Sequence, residues 1–127
     1  MSRLPFIYVR ETAEKGRGVF TAQEIPAGSP IESCPVIVLS LEDTKQVHKT
    51  SLHDYYFLWG TDGQSAIALG FGSIYNHASD ANADYEMDLE NTSIDIVALR
   101  NIAPGEEITL NYMEGGQQRT ELWFEER

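Results

Sequence analysis

Cysteine occurs once, at Cys34, which excludes an intrachain disulfide and a cysteine-built zinc site and makes a reducing compartment the expectation. Basic residues are scarce: 9 Lys and Arg stand against 20 Asp and Glu, giving a formal net charge of −11 and an isoelectric point near 4.5. No window concentrates Lys and Arg, so direct nucleic-acid binding, which needs clustered cations to neutralise phosphates, is excluded, and a cationic partner fits better. Long apolar runs are missing as well. The opening Met1-Ser2-Arg3-Leu4-Pro5-Phe6 leads to a short apolar stretch broken by Arg10 and Glu11, too short for a secretory leader or a membrane span. The expectation is a soluble intracellular protein, cytoplasmic or, in a eukaryote, nuclear.

What is present is enough for one core. The 127 residues are 42% hydrophobic, with Tyr, Phe and Trp spread along the chain, which argues against disorder and for a single domain over 1–127. Turn signals recur at short intervals, at Lys15-Gly16-Arg17-Gly18, Pro26-Ala27-Gly28, Thr61-Asp62-Gly63, Gly70, Gly72, Pro104-Gly105 and Gly115-Gly116. The runs between them, notably 6–9, 31–39, 65–69 and 94–99, are short and rich in β-branched or aromatic residues, which predicts a mainly β protein with few short helices. Ser40 followed by Asp43 resembles a capping box opening a helix through about His48, and residues 117–127 are read as a final helix. Ile25-Pro26-Ala27-Gly28-Ser29-Pro30-Ile31 and Ile102-Ala103-Pro104-Gly105-Glu106-Glu107-Ile108 share their isoleucine and glycine spacing, which predicts two similar corners between small sheets.

Four segments stand apart in polarity or glycine content. Lys15-Gly16-Arg17-Gly18-Val19-Phe20 places two glycines around an arginine before an apolar strand, where missing Cβ atoms let the backbone approach a ligand or simply make a turn. Gly70-Phe71-Gly72-Ser73-Ile74-Tyr75-Asn76-His77-Ala78-Ser79-Asp80-Ala81-Asn82 has no clean period, so its backbone must find partners outside ordinary ladders. Pro104-Gly105-Glu106-Glu107-Ile108-Thr109-Leu110-Asn111-Tyr112 reads as a turn and an edge strand ending in a tyrosine whose hydroxyl stays wet. The fourth segment is the tail, with Trp123 and Phe124.

In this order, the segments resemble the motifs of the SET-domain protein lysine methyltransferases, and the resemblance spans nearly the whole chain. Asn76-His77-Ala78-Ser79-Asp80-Ala81-Asn82 is similar to the family's Asn-His-Ser-Cys-x-Pro-Asn, and Gly105 to Tyr112 to Gly-Glu-Glu-Leu-Thr-Phe/Tyr-Asp-Tyr. The resemblance implies a β-clip-like fold of small curled sheets in which the carboxy-terminal segment makes a knot-like crossing and brings Asn76-His77 beside Tyr112. It also implies S-adenosylmethionine as cofactor, leaving as S-adenosylhomocysteine, with no metal, and transfer of its methyl group to a lysine amine of a protein.

By the same resemblance Lys15, Gly16, Arg17, Gly18, Tyr75, Asn76 and His77 hold the cofactor, Trp123 or Phe124 stacks on its adenine, and Tyr112 is the catalytic residue. Tyr55, Tyr56, Tyr75, Leu110 and Tyr112 line the lysine channel. Leu110 stands where the family usually has Phe or Tyr, which implies room for more than one methyl; Asn111, Ala78 and Ala81 are further departures. No cysteine cluster follows Tyr112, so the tail over 113–127, or a second subunit in a homodimer, has to close the site.

The remaining residues are less specific. His48 and His53 are five apart, which does not align them on a helix face, and they read as solvated rather than as metal ligands. Asp80, Asp84, Glu86, Asp88, Glu90 and Asp95 form either a solvated face or an attractor for a lysine-rich, basic protein substrate. A catalytically silent SET-like module that binds basic peptides through this acidic face is the alternative. A thiol hydrolase using Cys34 and His77 fits poorly, because Cys34 lies in an apolar strand context.

Overall fold

The computed structural model describes residues 3–112. The predicted helix over 117–127 therefore lies outside the described residues, as do Trp123 and Phe124. Among the described residues, nine strands and one α-helix follow in the order β1 (Ile7–Glu11), β2 (Arg17–Thr21), β3 (Pro30–Leu39), α1 (Leu41–Val47), β4 (Tyr56–Trp59), β5 (Gln64–Ala68), β6 (Asn76–His77), β7 (Ala83–Asp88), β8 (Ser93–Ala98) and β9 (Glu107–Leu110). A 3-10 turn over Ser51–Asp54 separates α1 from β4.

The strands form two sheets, one in the order β1-β2-β9-β6 and the other in the order β4-β5-β3-β8-β7. The ten-residue β3 explains the curl of the larger sheet. Its first half pairs with β8, from Pro30↔Val97 to Pro35↔Ser93, and its second half with β5, from Val36↔Ala68 to Leu39↔Ser65. A register shift between Pro30 and Glu32 adds a local bend. Helix α1 begins as the capping pattern predicts, with the Asp43 N–H donating to Ser40 Oγ at 3.0 Å. β9, read from sequence as an edge strand, is interior: β2 flanks it on one side and β6 on the other.

The two Pro/Gly corners meet each other. Ile25 and Ile102 exchange both backbone hydrogen bonds at 2.9 Å, and Gly28 and Gly105 turn the chain at φ +84° and +85°. Ile25, Ile31, Ile102 and Ile108 have no exposed surface, and each such side chain contributes roughly 1.5–3 kcal/mol by leaving water. They join Val19, Ile94, Ile96 and Leu110 in one core beneath both sheets.

β7 was hidden by its charge. Ala83 and Tyr85 point inward, at 1% and 4% exposure, while Asp84, Glu86 and Asp88 alternate onto the other face. The acidic residues are thus the outer row of an edge strand, with Glu86 directly across from Asp95 of β8.

Candidate active site

β6 is only two residues long, and its neighbours show why it forms at all. It runs parallel to β9, with Asn76 beside Thr109 and His77 beside Leu110, and the Ala78 N–H continues the ladder to the Leu110 carbonyl at 3.0 Å. Asn82 then closes the segment from the other end. Its Nδ2 donates to the Glu107 carbonyl at 2.8 Å and to Glu106 Oε2 at 3.1 Å, while its Oδ1 accepts from the Thr109 N–H at 2.9 Å. A primary amide offers the same donor and acceptor as a peptide group, so this buried side chain pairs with β9 as a strand residue would. Asn111 adds a bond from Nδ2 to the Ser79 carbonyl at 3.2 Å.

The amino-terminal glycine loop reaches the same place. Asn76 Nδ2 donates both to the Arg17 carbonyl at 3.0 Å and to Glu107 Oε2 at 2.8 Å, so one side chain ties three distant segments together. Gly18 is required by that closeness. A Cβ there would collide with Glu107 Oε2 and come within 2.9 Å of Asn76 Nδ2. Lys15 Nζ donates to the His77 carbonyl at 3.2 Å, and Gly16, at φ +74°, faces open space.

Tyr112 follows β9 directly and joins this cluster to a cleft. Its N–H donates to His77 Nδ1 at 3.0 Å, the two rings lie 5.3 Å apart, and its hydroxyl donates to the Tyr75 carbonyl. The phenol also lines an open cleft of about 250 Å³, solvent included, with Asp54, Tyr55, Tyr56, Phe57, Gly72 and Ser73. Although 39% of Tyr112 is exposed, burial of its hydroxyl end, followed by the negative charge that Tyr55, Asp54 and Glu107 can carry, pushes the phenol up to about 12. It is neutral at physiological pH.

Most of the sequence-predicted residues converge here, with exceptions that have physical reasons. Lys15, Gly16, Arg17, Gly18, Asn76, His77 and Tyr112 gather as described, and Tyr55 and Tyr56 stand in the cleft wall. The Tyr75 side chain does not: it is 1% exposed, and its hydroxyl donates to Glu32 at 2.7 Å in the core, so Tyr75 reaches the site through its carbonyl. Leu110 is likewise fully buried and outside the cleft wall, because β9 is interior and turns that side chain into the core.

His48 is not simply solvated, since its Nδ1 lies 2.9 Å from the Tyr56 hydroxyl and its ring packs edge-on against His53. Cys34 has no exposed surface, and burial together with the nearby Glu32 charge raises its thiol well out of the nucleophilic range. Asn82 and Glu107 are site residues that the sequence motifs contained but did not single out, and Asp54 of the cleft lies outside those motifs. The paired inward spacing of Glu32 and Cys34 on an apolar strand was the available signal for a buried carboxylate.

Comparison with known proteins gives the family. The sequence profile of the SET domain matches residues 16–113. A histone-lysine N-methyltransferase specific for H3 lysine 37 from Schizosaccharomyces pombe is 37% identical over 119 residues, covering 93% of this chain and 76% of the relative. A crystal structure of a Plasmodium falciparum protein assigned as a histone methyltransferase superposes with a TM-score of 0.67 at 27% identity, covering 84% of this chain and 96% of that one. With the profile matched over 16–113, and its glycine loop, Asn-His segment and Tyr112 linked by hydrogen bonds, the chain belongs to the SET-domain family.

Proposed function

We propose that the chain, a protein-lysine N-methyltransferase by its family, takes its methyl group from S-adenosylmethionine and delivers it to a lysine of a basic protein. The observation that carries this reading is the double attachment of Tyr112, whose N–H holds His77 while its phenol lines the cleft. When bound, S-adenosylmethionine supplies an electrophilic methyl on a sulfonium.

The donor set suits such a zwitterion. Lys15 Nζ offers a cation for its carboxylate, Asn76 Oδ1 an acceptor for its ammonium, and Gly16, Arg17 and His77 backbone for the rest of the amino-acid end. Trp123 or Phe124 is assigned to the adenine by resemblance.

The cleft accounts for the other half of the reaction. Aromatic faces of Tyr55, Tyr56 and Phe57 and the Asp54 carboxylate attract a lysine ammonium on arrival. Deeper in, an apolar wall disfavours the charged form of a group whose ordinary pKa is about 10.4, so the amine sheds its proton to water before attack. Tyr112 has committed its own proton to the Tyr75 carbonyl, which leaves the phenol oxygen to act as an acceptor that orients the amine and stabilises developing positive charge. Holding amine and methyl in line supplies on the order of 7–11 kcal/mol, so no dedicated base is needed.

Addition of more than one methyl is expected from the family resemblance alone, since Leu110 brings no hydroxyl to its motif position and its side chain turns into the core rather than the cleft; mass analysis ending at monomethyl-lysine after long incubation would exclude it. The substrate class follows from charge and from kinship. The outward row of Asp84, Glu86 and Asp88 presents a negative field to a basic tail, and histone H3 is the first protein to try given the Schizosaccharomyces pombe relative. Such a substrate places the enzyme inside the cell, in the nucleus of a eukaryote; among the described residues no helix is long and apolar enough to cross a membrane.

The test is incubation with methyl-labelled S-adenosylmethionine and a panel of basic proteins including H3. Label is expected in lysine, falling with ionic strength, and Tyr112→Phe should reduce transfer by about 10²-fold. Peptide binding without any transfer would instead identify a silent module, and undiminished transfer in Tyr112→Phe would show that another residue faces the methyl.

A further inference from the structure

A carboxylate sits in the core where methyl transfer itself requires none. Glu32 is 4% exposed and lies on β3 beside the buried Cys34. Burying such a group is costly unless its oxygens are hydrogen-bonded, and here three donors from two separate segments converge on it. The Tyr75 hydroxyl donates to Oε1 at 2.7 Å, the Phe71 N–H to Oε2 at 3.0 Å and the Arg3 guanidinium to Oε2 at 3.4 Å. Arg3 also lies 4.0 Å over the Phe71 ring.

The loop over 69–75 is drawn tightly onto this carboxylate. A Cβ on Gly70 would collide with Glu32 Oε2, and one on Gly72 would come within 2.9 Å of Cys34 Sγ. The Tyr75 hydroxyl, held well above its usual pKa by burial and by the Glu32 charge, remains a donor. At its other end the same tyrosine offers the carbonyl that accepts the Tyr112 hydroxyl, and Gly72 and Ser73 of the same loop line the cleft.

We infer that Glu32 is a positioning residue for methyl transfer: by fixing the Tyr75 side chain and the Phe71 N–H, it sets the Tyr75 carbonyl and so the orientation of the Tyr112 hydroxyl. The inference rests on the reading of Tyr112 as the residue beside the transferred methyl. Glu32 does not touch the cleft, and its oxygens are committed to the loop, so its effect passes through Tyr75.

The test combines a spectroscopic and a kinetic readout on the full chain. Glu32→Gln keeps the size of the side chain but leaves one acceptor oxygen for three donors. In protein labelled with ¹³C at tyrosine Cζ, with signals assigned by Tyr→Phe variants, Glu32→Gln should move the resonances of both Tyr75 and Tyr112 and leave Tyr8 in place. With labelled cofactor, Glu32→Gln and Tyr75→Phe should lower kcat about tenfold while KM for cofactor and substrate stays within about twofold. In a Tyr112→Phe background neither should lower it further, because the path they act through is already cut.

An unmoved Tyr112 resonance in both folded variants, or an equal loss in both backgrounds, would overturn the inference. Should Glu32→Gln not fold, Tyr75→Phe removes the single bond and decides the question. The spectroscopic arm needs no turnover, so a wild-type chain without methyl transfer would sink the proposed activity and still leave this coupling decided.

Discussion

The paired corners and the loop after Gly70 face the same difficulty, a chain that has left its strand and must still pair its peptide groups, and they meet it by opposite means. At the corners, backbone pairs with backbone: Ile25 and Ile102 exchange hydrogen bonds, and the four isoleucines around them fill the core. In the loop, side chains stand in for backbone, with Asn76, Asn82, Asn111 and Glu32 taking the bonds that a ladder would otherwise make. The corner is defined by shape and apolarity, so related side chains can substitute at a graded cost. The loop is defined by donor and acceptor geometry, so even an isosteric replacement loses it.

The largest effect should come from the corner. Ile102→Ala, at a site without exposed surface, is expected to cost about 2–5 kcal/mol in chemical denaturation, with transfer by the remaining folded protein little changed. Asn82→Ala should cost less, about 1–3 kcal/mol for the Thr109 N–H and Glu107 carbonyl left without a partner, yet abolish most transfer. If the two variants lost activity in proportion to stability, the contrast between the regions would be void.

A pH scan probes the site side without substitution. Tyr112 ionises at about 12 in the folded chain and near 10 in the unfolded one, so between those values the unfolded state binds fewer protons. Stability is therefore intact below about pH 9 and falls as pH rises through 10 to 12, with Tyr75 and Cys34 shifted in the same direction. Denaturation midpoints that stayed flat from pH 9 to 12 would contradict the burial of these groups.

Smaller effects sharpen the likeness of the corners. Gly28→Ala and Gly105→Ala should each cost about 1 kcal/mol, and by similar amounts, since both glycines have positive φ and open space where a Cβ would go. Thr92, the non-glycine residue at positive φ among those described, should gain about 0.5 kcal/mol on replacement by glycine, measured as a raised Tm.

How far the sequence revealed this molecule follows the same division. Regularities within a segment were readable: the β-branched run of β8, the Ser40 cap of α1 and the Pro/Gly spacing of both corners correspond to the elements observed. β7 escaped because alternate acidic residues masked its inward Ala83 and Tyr85. The interior place of β9 escaped because it depends on β2 and β6, strands far away in the chain. The motifs named Asn76, His77 and Tyr112, which the hydrogen bonds bring together, but the direction of a side chain is fixed by tertiary pairing. Tyr75 accordingly resembled a channel residue until its hydroxyl was found on Glu32.

The interior position of β9 also bears on how the protein is made. A ribosome that has delivered the glycine loop and the Asn-His segment has delivered two flanking pieces without the strand they share, because Glu107, Thr109 and Leu110 are made only after both. Release anywhere before those codons would yield a chain with the larger sheet encoded in full and no seat for the imidazole, so catalytic competence waits for β9 to be made.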